Sequence, residues 1–171
     1  MFRRERPPAA LLALLALLER DERVVSWALA DLGTVAATTR GLWLPSGDSF
    51  RRIGWELVDK AVWRDGVLTV IEAEDVDGLL LRELPPVSLT LTEPRDLPPA
   101  VRRRVEASVV RSEVLPVDGG AARFVARRVP RRDGVTWRAR LEPGTLDAPE
   151  TRASVRARLD GLAANWAVDV S

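Results

Sequence analysis

Three Asp-Gly pairs, Asp65-Gly66, Asp77-Gly78 and Asp133-Gly134, each stand between two runs of strand-like residues. Asp-Gly readily takes the positive φ angles of a type I′ turn, whose twist matches an antiparallel hairpin. Ser46-Gly47-Asp48 and Asp118-Gly119-Gly120 make similar reversals in longer loops. The runs they separate are rich in β-branched and aromatic residues: Val25 to Leu29, Thr34 to Leu44, Phe50 to Trp63, Val67 to Ala73 and Leu79 to Leu81. Val87, Leu89 and Leu91 alternate with Ser88, Thr90 and Thr92, the pattern of a strand with one buried and one wet face. Pro85-Pro86 interrupts the last two of these runs. No connection before residue 97 is long enough for a parallel crossover helix. The first half therefore reads as an antiparallel meander of about six strands.

Helices flank it. Leu11, Leu14, Leu15 and Leu18 recur at helical spacing over 8–20, and the nearly all-round leucine content predicts burial on more than one side. Pro98-Pro99 opens a helix over 98–113 with Val101, Val105, Ala107, Ser108 and Val109 inward, and Arg102, Arg103, Arg104 and Arg111 mostly outward. Residues 121–129 and 135–142 form a last hairpin. A final helix starts at about Pro149, with Asp147 as N-cap and Glu150 three residues on. Its stripe is Val155, Leu159, Leu162, Ala163 and Trp166, and Gly161 inside it suggests a kink or a close approach. The fold class expected is α+β: an antiparallel, partly barrel-like sheet with N-terminal, middle and C-terminal helices. The 171 residues suit one domain, divided into an N-terminal helix (1–21), a meander plus helix (22–113) and an appended hairpin and helix (114–171).

The missing residue types exclude much chemistry. The chain has no Cys, His or Tyr, so thiol chemistry, disulfides, the usual zinc sites and imidazole catalysis are out. No phosphate loop, Gly-x-Gly-x-x-Gly or Gly-x-Ser-x-Gly occurs. The run Glu72-Ala73-Glu74-Asp75-Val76-Asp77-Gly78 lacks the ligand spacing of an EF-hand and reads as a strand end plus a turn. Lys60, beside Asp59 and close to Glu56, reads as a solvated or paired lysine. No cofactor, metal site or catalytic residue is assigned. Trp43, Trp55 and Trp63 sit at apolar-phase positions and read as core. The apolar run from Pro7 to Leu18 follows Arg3, Arg4 and Arg6 as in a signal peptide, but the charged run Glu19 to Arg23 directly follows it, so a cytoplasmic location is expected.

The run Thr38-Thr39-Arg40-Gly41-Leu42-Trp43-Leu44, then Arg52-Ile53-Gly54-Trp55-Glu56-Leu57-Val58, then Gly66-Val67-Leu68-Thr69-Val70 resembles bacterial PH-like (pleckstrin-homology-like) and GRAM-like domains over about residues 22–112. That resemblance implies a bent antiparallel sheet of seven strands closed at one corner by a helix, here 98–113. The chain departs from the family in its added hairpin and second helix. It also has Asp31-Leu32-Gly33 where a lipid-binding member carries basic residues between its first two strands. It is also similar to a family of short proteins from GC-rich bacteria, a likeness that implies no activity.

Charge supplies the functional signal. The net charge is +1, with Lys60 the sole lysine among 26 cationic residues. Residues 1–97 hold 12 cationic and 16 anionic groups, whereas residues 98–140 hold 11 arginines and four acids. Arg123 and Arg127 share one face of the last hairpin's first strand, Arg138 and Arg140 one face of its second, and Arg128, Arg131 and Arg132 crowd the turn. Like charges across a ladder destabilise it, so something must offset them. One offset is internal: Glu72, Glu74, Asp75 and Asp77 of the meander. The other is an anionic partner bound at Arg102, Arg103, Arg104, Arg123, Arg127, Arg128, Arg138 and Arg140. The function expected is a non-enzymatic cytoplasmic interaction or scaffold module, its partner an acidic protein or a second copy of itself. The alternatives are a PH-like domain on an anionic membrane, through Leu11–Leu18 and Arg3, Arg4 and Arg6, and a small enzyme with a carboxylate-only site. Nucleic acid fits least, for want of net charge and of any recognition motif.

Overall fold

The computed structural model describes residues 8–169, the side chains of Val168 and Asp169 excepted. The chain runs through helix α1 (Ala9–Leu15), strands β1 (Val24–Ala30), β2 (Gly33–Thr38), β3 (Gly41–Ser46) and β4 (Ser49–Gly54), and a 3-10 turn (Trp55–Leu57). Strands β5 (Val58–Arg64), β6 (Val67–Val76), β7 (Leu80–Glu83) and β8 (Val87–Glu93) lead to helix α2 (Leu97–Ser108). Then come β9 (Val109–Val117), β10 (Gly120–Arg127), β11 (Thr136–Leu141) and helix α3 (Pro149–Asp169). The fold is α+β. Its strands follow the order β4-β3-β2-β1-β8-β6-β7-β11-β10-β9, an open path, with β5 paired to β6 off it. All pairings are antiparallel except the single bridge Ala139↔Leu80 between β11 and β7.

The meander has eight strands rather than about six, because two runs that look continuous are broken. In the run 34–44, Thr38 Oγ1 accepts hydrogen bonds from the backbone N–H groups of Arg40 and Gly41, both at 3.2 Å. This side-chain turn reverses the chain without Gly-Asp or Pro signals. In the run 50–63, the 3-10 turn at Trp55 redirects the strand. Asp65-Gly66 and Asp77-Gly78 do adopt the expected paired positive φ angles, 50° and 77° and then 59° and 72°. Asp133-Gly134 does not make a two-residue turn. It lies in a wide connection between β10 and β11, where Arg131 (φ 67°) and Gly134 (φ 77°) take the left-handed positions.

The middle helix stops at Ser108, five residues short of expectation, and Val109 is extended (φ −85°, ψ 116°). Val109-Val110 favours a strand, and β9 pairs with β10 from Val117↔Gly120 to Val109↔Arg127. Residue 113 thus falls inside β9, and Val109 is a strand residue rather than part of the helix face. The last hairpin forms, with β10 and β11 paired from Ala122↔Leu141 to Arg127↔Thr136.

Three apolar clusters hold these layers. The first packs Val35, Leu42, Leu44, Ile53, Trp55, Leu68 and Leu89 under Leu97 and Val101 of α2. The second packs Ala122, Phe124, Ala126, Trp137 and Ala139 against Val155 and Leu159 of α3, with Leu162 and Trp166 at its margin. The third is small: Leu11 and Leu14 of α1 on Ala36 and Trp43. Only one side of α1 is therefore buried, and Leu12 and Leu15 stay exposed. Ala163 is exposed, and Gly161 has open space around it, so neither adds to the α3 contact. Trp63 is likewise exposed, unlike Trp43 and Trp55. Asp147 binds Arg152 Nη2 at 2.8 Å rather than capping α3. That hydrogen bond holds the Asp147 carboxyl below its ordinary range. Arg152 also reaches Asp77 and so ties α3 to the β6–β7 turn.

Gly41 shows how tightly β3 and β4 are paired. A Cβ there would lie 2.3 Å from the carbonyl oxygen of Ile53, a backbone atom that cannot rotate away. Gly41→Ala is expected to lower the unfolding free energy by about 2 kcal/mol, as overpacked sites do. A urea titration reads this as a lower midpoint at unchanged slope.

Candidate anion-binding surface

The hairpin register decides where the arginines go. Side chains alternate along β10 and β11, so Ala122, Phe124 and Ala126 enter the second core while Arg123, Val125 and Arg127 point the other way. Arg138 and Arg140 of β11 share that second face, Arg140 directly across from Arg123. The face is turned toward the acidic strands of the meander, and its charges meet carboxylates of the same chain. Arg138 Nε donates to Asp75 at 2.9 Å. Arg140 donates to Asp59 at 2.6 Å and to Glu83 at 2.5 Å. Arg123 pairs with Glu142 at 3.3 Å.

Arg127 is not at the surface. It is 7% exposed, and its Nη1 donates to Val58 O at 3.1 Å, Ser108 Oγ at 3.1 Å and Trp55 O at 3.5 Å. Asp59 lies 3.7 Å from Nη2. Burial lowers the Arg127 pKa and the Asp59 charge opposes the shift. Its role is to join the hairpin to the 3-10 turn and to α2, so it drops out as a group that could meet an outside partner. On α2, Arg102 is engaged with Glu106 one turn later at 2.7 Å.

Three of the eight sequence-derived residues remain. Arg103, Arg104 and Arg128 make no ion pair among the described residues. Arg103 and Arg128 are exposed, and Arg104 is half-buried. Arg104 and Arg128 share one concavity of about 420 Å³, formed by the last turn of α2, the end of β10 and the wide β10–β11 connection. The Arg128 N–H donates to Ser108 O at 2.8 Å and clamps the strand end to the helix end. Arg132 lines the same concavity, fixed by a turn in which its N–H donates to Val129 O at 3.0 Å. Arg131 is drawn away to Asp21 (3.2 Å) and Glu19 (3.8 Å), while Arg132 pairs with no described carboxylate. Asp133 is the sole acid among the residues lining this space.

Sequence places Arg132 only in the turn. What brings it to Arg104 is the width of the 128–135 connection, signalled by Pro130 but hidden behind the Asp-Gly pair that suggests a tight turn. The remaining basic residues considered, Arg3, Arg4 and Arg6, lie outside the described residues. Comparison with family models, with curated proteins and with solved structures finds no match to this chain. No helix among the described residues is long and apolar enough to cross a membrane.

Proposed function

We propose that this chain is a protein-interaction module that captures an acidic segment of a partner on the concavity of Arg104, Arg128 and Arg132. The observation that carries this reading is the surplus left after internal pairing. Three guanidiniums without ion pairs line one space with a single carboxylate, Asp133. Guanidiniums present several hydrogen-bond donors in a fixed fork suited to carboxylates. Arg103, exposed on the same helix, adds positive potential. The PH-like resemblance fits an interaction module too. Eight strands, β1 to β8, one more than the seven of that resemblance, precede a helix that packs against β1, β2, β5 and the 3-10 turn. Against a lipid headgroup, the β1–β2 turn is acidic, with Asp31 accepting from the Thr90 N–H at 3.0 Å.

The test is fluorescence anisotropy with an Asp/Glu-rich peptide at low and high salt. Arg104→Glu/Arg128→Glu/Arg132→Glu is expected to weaken binding by about a hundredfold, roughly 1 kcal/mol per contact. Arg158→Glu on α3 is expected to leave it nearly unchanged. Equal binding by the triple variant and the parent removes the site. A second reading, association with an anionic membrane, is favoured by the exposed Leu12, Leu15 and Leu17. Flotation with vesicles containing phosphatidylserine separates the two: lipid binding that survives the triple variant supports α1 as the contact.

A further inference from the structure

The arginine concavity adjoins a second one of about 510 Å³, lined by Arg40, Arg52, Arg131 and Arg132 with Glu19 and Glu56. Val129, Pro130 and Arg132 line both, whereas Arg131 lines only the second. The two halves differ in what neutralises them. Arg104, Arg128 and Arg132 make no ion pair among the described residues, but the other guanidiniums of the second half are held by one short stretch of the same chain. Glu19 and Asp21 each pair with Arg40 and with Arg131, and Glu19 and Glu22 pair with Arg52. Burial lowers the Arg40 pKa, and the charges of Arg131 and Arg52 lower it further, so this stretch offsets repulsion among three neighbouring cations. Its contacts are of two kinds. Arg40 and Glu22 are buried, and their pairs belong to the fold. Arg131 is 58% exposed and Asp21, 3.2 Å away, is 56% exposed, with Glu19 farther off at 3.8 Å. An ion pair this open contributes little to stability and exchanges readily for another carboxylate.

We propose that Asp21 and Glu19 are a built-in competitor of the acidic partner, holding Arg131 so that a segment seated on Arg104, Arg128 and Arg132 gains it as a fourth contact only by displacing them. This assignment rests on the proposed interaction function and adds its regulation. The chain itself shows that the second half accepts an acidic segment: Glu19-Arg20-Asp21-Glu22 lies on it with three of its four residues on guanidiniums. Arg131 is the chain neighbour of Arg132, so a peptide carboxylate on Arg132 comes within a residue's length of it. The partner's carboxylates and those of Asp21 and Glu19 then compete for one guanidinium.

Fluorescence anisotropy with the Asp/Glu-rich peptide, run on the full chain as a double-mutant cycle, tests the competition. Glu19→Gln/Asp21→Asn keeps an oxygen for Arg40 while removing the competing charges, and is expected to tighten binding about fivefold, the worth of one exposed charge contact. Arg131→Ala is expected to change the parent's affinity by less than about twofold, because its own chain engages Arg131, yet to erase the gain in the Glu19→Gln/Asp21→Asn background. A gain that survives Arg131→Ala overturns the proposal, since it would report only the two missing negative charges. The absence of any gain overturns it too. Asp21→Asn alone, which leaves Glu19 on Arg40 and Arg52, carries the same cycle if a thermal melt shows the double variant to be unfolded. The acidic-peptide site is judged separately. If Arg104→Glu/Arg128→Glu/Arg132→Glu loses the peptide while neutralisation gains nothing, the site stands and the competition falls. Peptide bound by neither the parent nor the neutralised chain removes both.

Discussion

Arg127→Ala is expected to remove about 3–5 kcal/mol of folding stability, the range for breaking a buried ion pair from one side. The variant would leave the carbonyl oxygens of Val58 and Trp55, the Ser108 hydroxyl and the Asp59 carboxylate without the donor that now meets them. For a chain of this length the loss corresponds to a thermal midpoint lower by about 10 °C. Arg127→Met separates packing from polar satisfaction: it restores most of the aliphatic volume yet is expected to recover under half of the loss. Arg123→Ala, on the same face of the same strand, supplies the contrast. Its partner Glu142 is 3.3 Å away at a partly open site, so about 1 kcal/mol or less is expected. Equal effects of the two alanine variants in denaturant titrations would refute the assignment of Arg127 as the joint between the hairpin and the meander.

That pair of neighbours also shows where reading the sequence succeeds. Strand periodicity correctly puts Arg123 and Arg127 on one face, and Asp65-Gly66 and Asp77-Gly78 make the reversals their chemistry favours. Periodicity does not say what a face opposes. The Arg face looks like a binding surface until β11 is laid beside β7, through the bridge Ala139↔Leu80. That bridge brings Asp59, Asp75 and Glu83 within reach of Arg138 and Arg140. Their sequence separations, 57 to 81 residues, leave no local trace in the chain. The same limit applies to the strand count. A Thr38 hydroxyl makes the β2–β3 reversal, and threonine is itself a strand-favouring residue. The α2–β9 boundary could be seen in Val109-Val110, but the helical phase of Val101 and Val105 runs straight into it. Arg104 and Arg128 were legible as candidates because they belong to a basic segment. Arg132 became a site residue only through the wide loop that carries it.

The charged run that follows the leucines of α1 does more than end an apolar stretch. Glu22 is buried, with its side chain 0% exposed. It accepts from the Thr38 hydroxyl at 2.5 Å, Trp43 Nε1 at 2.8 Å and Arg52 Nη1 at 2.7 Å. One carboxylate thereby gathers β2, β3 and β4 beneath the segment that leads from α1. Glu19 and Asp21 add ion pairs to Arg40, and Glu19 one to Arg52. Because the guanidinium of Arg52 also stacks 5.6 Å over the Trp43 ring, its position depends on Glu22 as well. Glu22→Ala is expected to lower stability by about 3–5 kcal/mol, leaving the indole N–H, the hydroxyl and the guanidinium without their shared acceptor. Glu22→Gln keeps one carbonyl oxygen for Thr38 and Trp43 but turns an N–H₂ toward Arg52, so a loss of about 2 kcal/mol is expected. The effect should also be spatially graded. Hydrogen exchange is expected to rise first in α1, β2 and β3, whereas β10 and β11, which rest on Phe124 and α3, keep their protection. Uniform loss of protection across both cores would show that Glu22 supports the whole sheet rather than the docking of α1, and unchanged exchange in α1 would sink the clamp altogether.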